Sequence, residues 1–403
     1  MRVNRLRASV NMASHGLRIA CIGARGIPAS YSGVERACET LYAGLAARGH
    51  EITMYCRPEY VPRRGQSHQG VALRSAPALR TRALDTLTHT ACSLAHALVT
   101  NQYDLVHLHA LAPNAFSRFC CVRSMPIVAT VQGLDWQRAK WRGLGSKVLK
   151  FAERSMVVNA DGIIVVSRAL HEYFRATYGR DTDYIPNGID VRSAGEPVVD
   201  SVLAQRGLTP GEYVLFVGRL VPEKRVHDLI VAFRQLTTPF RLVIAGESSH
   251  TNGYVKTLRH LASPDPRVLF TGFQPHAAVR ALFRHAAVFV NPSDLEGLPT
   301  TVFECIAEAT PAVVSDIAPH REVLAADSHY DLFFTVGDVD GLCRVLRQAL
   351  ASPDYYRGLA AAARERAMSA YSWPSIIERT EAVFQDVLRK RIRTATVVRE
   401  RTT

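Results

Sequence analysis

Two carboxylates of the segment NPSDLEGLPTTVFE are candidates for chemistry: Glu296 closes a loop, and Glu304 lies two turns inside a predicted apolar helix. Such a carboxylate is costly unless it is paired or hydrogen-bonded. Glu304 can accept two hydroxyls of a ribose, and Glu296 can reach a sugar on the other side of the phosphates. The main-chain N–H groups from Leu298 to Thr300 open a predicted helix, where a diphosphate binds favourably. The alternative is that Glu304 only pairs with a nearby cation.

A second segment, GRLVPEK, supplies cations directly after the predicted strand 213–218. Arg219 and Lys224 stand between this strand and the next helical pattern. An Arg fork with a Lys point charge can hold a diphosphate and neutralise its charge as it leaves. The alternative is a solvated basic turn, the usual place for clustered charges.

The loop GARGIPASYSGVE follows the first predicted strand. It lacks the G-x-G-x-x-G spacing, and the chain has no G-x-x-x-x-G-K-[ST] segment, so dinucleotide binding of the usual kind and P-loop chemistry lose support. The helix that begins near Gly33 can still bind an anion. A plain strand–helix turn explains the loop equally well.

Two α/β units are predicted to position these residues, because short apolar runs alternate with helical patterns and the alternation restarts after a break. In the first half, helices are expected over Val34–Arg48 and Gly145–Val158. The predicted strands there are 17–23, 51–56, 104–109, 126–131 and 162–167. Those of the second half are YVLFVG, RLVIAG, RVLFTG, AVFVNP and PAVVSD.

The break lies at Ile185–Gly211, where prolines and glycines favour a linker, and we place the boundary near residue 195. The predicted order is a disordered tail over 1–16, Rossmann-like doubly wound domains over 17–195 and 196–372, and a helix over 373–403 that returns to the first domain. The basic end, 389–403, is expected to fray. Ligands bind at the carboxyl ends of parallel strands, so we expect the site in a cleft between two facing domains.

The 403 residues include 47% hydrophobic and 21% charged residues, which indicates globular domains and excludes disorder or a coiled coil for the whole chain. No apolar run reaches the roughly 20 residues of a membrane helix, and the N-terminus lacks a signal-peptide core. The eight cysteines show no metal-ligand spacing, so reduced thiols in the cytosol are expected. The net charge of +13 favours anionic partners.

The stretches VGRLVPEK, VLFTGF and NPSDLEGLPTTVFECIAEATPAVVSD resemble the donor half of retaining GT-B glycosyltransferases of family 4, whose hallmark is a pair of glutamates separated by seven residues. IPNGID is similar to that family's crossover between domains. The N-terminal half, from RGIPASYSGVERACE to QGLDWQRAKW, resembles bacterial enzymes that build surface polysaccharides and exopolysaccharides, some of which are rhamnosyltransferases. The resemblance covers roughly residues 17–390.

The resemblance implies a role for each matching residue. Arg219 and Lys224 would bind the donor diphosphate and assist its departure, and Glu296 would hold the transferred sugar. Main-chain groups around Phe273 and Gln274 would contact the base. The implied donor-binding residues are Gly33, Gln274, Gly297, Leu298, Pro299, Thr300 and Glu304.

Two positions depart from the family pattern. Ser32 replaces the first of two adjacent glycines before Val34. Gln132 replaces a His that faces the reacting sugar in family members, and Gln cannot carry a proton. His107 and His109, at the end of DLVHLH, are candidates to stand in, although a His at a strand end is often structural. Gln132 and His109 are the candidate acceptor-side residues.

The implied reaction transfers a sugar from a nucleotide-diphosphate donor to a glycan or lipid-diphosphate-linked acceptor with retention, by front-side attack and without a metal or other cofactor. Asp338-Val-Asp340 resembles the Asp-x-Asp of metal-dependent transferases, but N-capping of the next helix explains it better.

Between Arg57 and Arg154 there are fourteen Lys and Arg against five acids. The segment WQRAKWRGLGSKVLKF mixes aromatic residues with cations, which favours peripheral contact with an anionic membrane on the cytoplasmic side; a solvated face is the alternative. Nucleic-acid binding ranks low, because no base-reading helix or aromatic RNA-binding signature is present. A catalytically silent nucleotide-sugar-binding subunit and a nucleotide-sugar epimerase remain as alternative functions.

Overall fold

The computed structural model describes most of the chain. It covers residues 16–29, 33–60, 66–79, 81, 84–138, 140–141, 143–189, 201–247, 251–324 and 329–400. Of the predicted features, residues 1–15 of the tail, Ser32 and the boundary at residue 195 lie outside this part.

The chain divides into two compact units. The first unit comprises Met1–Asn187 with Trp373–Thr403, and the second unit comprises Gly188–Ser372. The division between residues 372 and 373 falls where the sequence analysis places the start of the final helix.

The first unit is built on one large sheet. Its described strands are β1 (Arg18–Ile22), β2 (Glu51–Cys56), β3 (Ser67–His68), β4 (Val71–Ser75), β5 (Leu105–His109), β6 (Ile127–Val131), β7 (Gly162–Val165) and β8 (Asp183–Tyr184). They pair in the order β3-β4-β2-β1-β5-β6-β7-β8, and only β3 and β4 pair antiparallel. Every residue of β5, β6 and β7 is buried, as expected for parallel strands covered on both faces.

The second unit holds a fully parallel sheet. Its described strands are β9 (Tyr213–Val217), β10 (Arg241–Ala245), β11 (Val268–Gly272), β12 (Val288–Asn291), β13 (Ala312–Ser315) and β14 (Phe333–Phe334). They pair in the order β11-β10-β9-β12-β13-β14. The chain first moves outward through β10 and β11 and then returns to β12 beside β9. The loops after β9 and β12 therefore diverge at the topological switch point, where ligands bind in open α/β sheets.

The helices cover the faces of each sheet. The described helices of the first unit are α1 (Gly33–Ala47), α2 (Asp85–Thr100), α3 (Ser117–Val122), α4 (Leu144–Asn159) and α5 (Arg168–Tyr178). Those of the second unit are α6 (Ser201–Arg206), α7 (Val226–Arg234), α8 (Asn252–Ala262), α9 (His276–His285), α10 (Thr300–Ala307), α11 (Ala318–Leu324), α12 (Val339–Ala351) and α13 (Pro353–Ala370). The last helix, α14 (Trp373–Glu400), belongs to the first unit.

The final helix completes the core of the first unit. Ile376, Ile377, Phe384 and Val387 of α14 are buried in the same cluster as residues of α1, β1 and β5. The prediction that residues 389–403 fray was wrong as far as Glu400, because the helix continues to that residue. Arg391 donates two hydrogen bonds to Asp161, 2.7 and 3.0 Å long, which anchor the start of the basic stretch.

Asp338 caps α12, since its side chain accepts a 2.8 Å hydrogen bond from the N–H of Gly341. All eight cysteines lie in the described part as free thiols, and six of them are buried. No helix in the described part of the chain combines the length and apolarity needed to cross a membrane.

Candidate functional site

The carboxyl edge of the second sheet collects the predicted site residues of this unit. Arg219 and Lys224 follow β9, Gln274 follows β11, and Glu296 follows β12. Glu304 lies in α10, which the loop after β12 enters. Because all these strands are parallel, their following loops emerge at one edge of the sheet.

Lys224 and Glu296 form an ion pair at the switch point. The ammonium of Lys224 donates to Oε1 of Glu296, and the two side chains are only 14% and 11% exposed. The Asn291 amide approaches the same oxygen at 3.3 Å. Lys224 ends the short 3₁₀ turn Pro222–Lys224, so the loops after two neighbouring strands meet through this pair.

Glu296 is held as a carboxylate. Burial alone would raise the pKa of its carboxyl, but the Lys224 ammonium and then the His320 side chain lower this pKa to about 2. His320 is fully buried, and burial lowers its pKa to about 4, so the imidazole is neutral at neutral pH. The site therefore combines one cation and one anion beside a neutral ring.

A buried polar network supports the Glu296 loop. Ser293 donates to the side chain of Asn291 at 2.5 Å, and Ser315 donates to the carbonyl of Ser293 at 2.5 Å. Nδ1 of His320 lies 2.8 Å from the Ser315 carbonyl, which requires a hydrogen on that nitrogen. These four residues tie the ends of β12 and β13 together, and so they fix the loop that carries Glu296.

The loops after β9 and β12 are also joined through their main chains. The N–H of Asp294 donates to the carbonyl of Glu223 at 3.0 Å. Arg225 adopts a left-handed conformation, with φ of 47°, and its Nε donates to Asp228 at 2.6 Å. These contacts join the two loops in addition to the Lys224–Glu296 ion pair.

The start of α10 contributes fewer amide donors than the sequence analysis expected. Pro299 is the N-cap residue and has no N–H, so the prediction that N–H groups from Leu298 to Thr300 all bind an anion was wrong at Pro299. The N-cap makes no side-chain hydrogen bond to the first turn. Gly297 is half-buried just before this start, and Glu304 lies half-buried one turn into the helix.

Arg219 is exposed in the turn after β9, five residues before Lys224. Its neighbour Gly218 packs closely against Gly246, where an added Cβ would lie 1.9 Å from the Gly218 carbonyl oxygen. Gln274 donates from its side-chain amide to the carbonyl of Thr271 at 2.8 Å. Phe273 is exposed beside it.

In the first unit, Gln132 and His109 line one cavity with Cys38, Thr130, Asn187 and Trp373. Gln132 follows β6 and forms an amide pair with Asn187, whose Nδ2 donates to Oε1 of Gln132 at 3.0 Å. The structure thus brings the two acceptor-side candidates together at the carboxyl edge of this sheet. Gly33 begins α1.

His107 and His109 belong to a buried hydrogen-bonded chain. Nε2 of His107 lies 2.7 Å from the Thr130 hydroxyl, and its Nδ1 lies 2.9 Å from the hydroxyl of Tyr42. His109 meets the same Tyr42 hydroxyl through Nε2 and lies 3.6 Å from Sγ of Cys38 through Nδ1. Burial lowers the pKa of His107, and it lowers that of His109 to about 4. Both rings are engaged on both sides, which favours the structural interpretation of these histidines.

Sequence reasoning missed the supporting residues of both clusters. Asn291 and Ser315 each end a buried strand. A polar residue directly after an apolar run could have indicated that they belong to the site. His320 and Asn187 carry no comparable signal, since only the tertiary fold brings them to Glu296 and Gln132.

Comparisons with known proteins agree with this arrangement. Residues 31–193 match the family described as Glycosyltransferase Family 4, and residues 204–366 match Glycosyl transferases group 1. The alpha-maltose-1-phosphate synthase of Mycolicibacterium smegmatis is 31% identical over 285 residues, which are 65% of this chain and 73% of that protein. The chain therefore belongs to the glycosyltransferases of group 1 and family 4, which have the GT-B fold.

Solved structures show the same fold. Sucrose-phosphate synthase from Thermosynechococcus elongatus matches with a TM-score of 0.80 and 22% identity, covering 93% of this chain and all of that one. Anabaena Alr3699/HepE in complex with UDP-glucose matches with a TM-score of 0.75 and 18% identity, covering 91% of this chain and 99% of that one. The predicted class, two Rossmann-like α/β domains of the GT-B type, is confirmed.

Proposed function

We propose that this glycosyltransferase moves a sugar from a nucleotide-diphosphate donor to a glycan or lipid-diphosphate-linked acceptor, with retention at the anomeric carbon. The observation that carries the proposal is the Lys224–Glu296 pair at the switch point of the second sheet. A fixed cation beside a fixed carboxylate suits a ligand that presents phosphate on one side and sugar hydroxyls on the other.

In this proposal Arg219, Lys224 and the start of α10 neutralise the departing diphosphate. The bond from the anomeric carbon to the phosphate oxygen breaks while the acceptor oxygen attacks from the same face, and the acceptor proton passes to the leaving phosphate. Because the leaving group takes the proton, neither Gln132 nor His109 needs to act as a base. Glu296 orients the transferred sugar and Glu304 the ribose.

We further propose that the reaction needs no metal, as charge on the phosphates is met by cations and helix N–H groups. Donor hydrolysis should therefore survive an excess of EDTA.

In this proposal the transfer is a step of polysaccharide synthesis. The enzyme acts in the cytoplasm, in peripheral contact with the inner face of the cell membrane. The similarity to HepE, which was solved with UDP-glucose, places UDP-glucose first among donors to test. The N-terminal resemblance to rhamnosyltransferases places a nucleotide-linked rhamnose second.

The test is slow hydrolysis of a panel of nucleotide sugars by the intact chain and by Glu296→Gln. We expect one donor to be hydrolysed and its kcat to fall about 100- to 1000-fold in the variant, as for loss of one preorganised polar contact to the transition state. Glu365→Gln, which alters an exposed carboxylate of α13, is the matched control and should retain activity.

A second variant separates catalysis from stability. Glu296→Gln leaves the Lys224 ammonium without its partner, so Lys224→Met/Glu296→Gln should recover stability but not hydrolysis. Equal activity of Glu296→Gln and the intact chain would refute the proposal. Binding of donor without turnover, even with a lipid-linked acceptor present, would indicate a catalytically silent subunit instead.

A further inference from the structure

Helix α4 of the first unit presents large apolar side chains to solvent. Leu144, Phe151 and Val158 are 77%, 62% and 80% exposed. They stand seven residues apart, so they lie along one side of the helix at intervals of about 10 Å. Single exposed apolar residues are common, but three along one side of a helix indicate an interaction surface.

Cations accompany this row, and no carboxylate does. Lys147, Lys150 and Arg154 are exposed on the same side of α4. Glu153 is the one acid in the α4 sequence, and it is 1% exposed. Its carboxylate accepts hydrogen bonds from the indole of Trp136 at 2.9 Å and from two tyrosine hydroxyls at 2.8 and 2.6 Å. The fold has turned the only negative charge of this helix inward.

Helix α3 extends the surface. Phe119 and Val122 are 60% and 78% exposed, and Arg118 and Arg123 are exposed next to them. Hydrogen bonds join the helices, since the hydroxyls of Ser117 on α3 and Ser155 on α4 lie 2.9 Å apart. The five apolar and five basic side chains together form what we call the α3–α4 face.

We propose that the α3–α4 face docks the protein on a bilayer that contains anionic lipids. Apolar side chains at this spacing can enter the boundary between headgroups and acyl chains, while the cations meet lipid phosphates. A nucleic acid would engage the cations but offers no apolar phase to five exposed hydrophobic side chains. A second copy of the same face would bring five cations against five cations.

The face differs from the one that the sequence pattern suggested. Trp136 is engaged with Glu153, and Trp141 is half-buried with the Lys140 ammonium 4.6 Å from its ring centroid. The outward anchors are therefore Phe151 and its row on α4, joined by α3, rather than the two tryptophans. The proposal is independent of the transfer reaction, because vesicle binding and donor hydrolysis are measured separately.

The test is flotation of the intact chain with vesicles of phosphatidylglycerol and phosphatidylcholine, compared with phosphatidylcholine alone. Binding should require the anionic lipid and weaken as salt rises. Lys147→Gln/Lys150→Gln/Arg154→Gln should weaken it about a hundredfold, at about a fivefold loss for each cation. Leu144→Gln/Phe151→Gln/Val158→Gln should weaken it at least tenfold, because it removes the apolar contacts.

Arg234→Gln/Lys256→Gln/Arg347→Gln removes three exposed cations of the second unit and is the matched control, which should bind as the intact chain does. Unchanged circular dichroism and donor hydrolysis would show that the α4 variants fold; tryptophan fluorescence is unsuitable here, because the Lys150 ammonium lies 4.4 Å from the Trp136 ring centroid. The proposal fails if the intact chain does not bind anionic vesicles at low salt. It also fails if Leu144→Gln/Phe151→Gln/Val158→Gln floats as the intact chain does, or if the face mediates only self-association. A DNA duplex that competes with the vesicles and binds this variant as tightly as the intact chain would likewise overturn the proposal.

Discussion

At the scale of single residues, the charge state of Glu296 depends on a balance between burial and pairing. Burial penalises the carboxylate, but the Lys224 ammonium, His320 and the hydrogen bonds from Lys224 and Ser293 together outweigh this penalty, so its pKa falls to about 2. Removing one partner of a buried pair typically costs about 3–5 kcal/mol, because the other charge stays buried alone. The pair is thus costly to break, and a ligand that binds there must offer each group a replacement partner.

The buried histidines predict that the first unit loses stability at acid pH. Burial lowers the pKa of His109 to about 4, whereas an unfolded imidazole titrates near 6.5. Between these values the unfolded state binds more protons, so the free energy of unfolding should fall as pH falls, by up to about 1.4 kcal/mol per pH unit for this group. His109→Gln should reduce this slope by about that amount.

The slope can be measured in the first unit alone, because all three tryptophans, Trp136, Trp141 and Trp373, belong to it. Urea unfolding followed by their fluorescence between pH 4.5 and 7 gives the free energy at each pH. His260→Gln, at an exposed position of α8, is the control. The same slope in His109→Gln and the intact chain would contradict the interpretation.

At the scale of elements, the turn that carries Arg219 after β9 depends on Gly246, which follows the neighbouring strand β10. Gly246 has φ of +141°, and a Cβ there would lie 1.9 Å from the Gly218 carbonyl oxygen. Gly246→Ala should therefore displace the turn, destabilise the second unit by about 1–3 kcal/mol and weaken binding of a nucleoside diphosphate.

Calorimetric titration with UDP and thermal unfolding check this prediction together. Gly253→Ala is the matched control, since Gly253 lies in α8 with open space where its Cβ would be. Alanine favours a helix over glycine, so this control should be neutral or slightly stabilising. Equal UDP affinity in Gly246→Ala and Gly253→Ala would show that the turn tolerates the added methyl group.

The elements differ in how far the sequence predicts them. Strands such as β6 and β12 were predicted, because a strand that is buried on both faces has a continuous run of apolar residues in the sequence. The short strands β3, β4 and β8 were missed, since β4 alternates buried and exposed residues, and β3 and β8 have only two residues each. Lys224 and Glu296 were predicted from motifs, but His320 was not, because its role arises only where β13 and α11 pack beside the Glu296 loop.

At the scale of the whole molecule, the first unit is discontinuous in sequence. The chain leaves it after Asn187, builds the second unit, and returns at Trp373. Phe384 of α14 is fully buried, and its ring lies 5.0 Å from that of His107 on β5. The last helix thus packs against a sheet whose strands all come from the first 187 residues of the chain.

Removal of residues 373–403 should therefore unfold the first unit selectively. Loss of a buried Phe alone typically costs about 3–5 kcal/mol, and three further core residues of α14, Ile376, Ile377 and Val387, are lost with it. We expect the fluorescence of Trp136 and Trp141 to report an unfolded first unit, while the UDP affinity measured for the intact chain is retained. Truncation after residue 394 keeps the buried part of α14 and the Arg391–Asp161 pair, so it should leave both readouts unchanged. If the shorter chain unfolds no more readily than this control, α14 only covers a core that is stable without it.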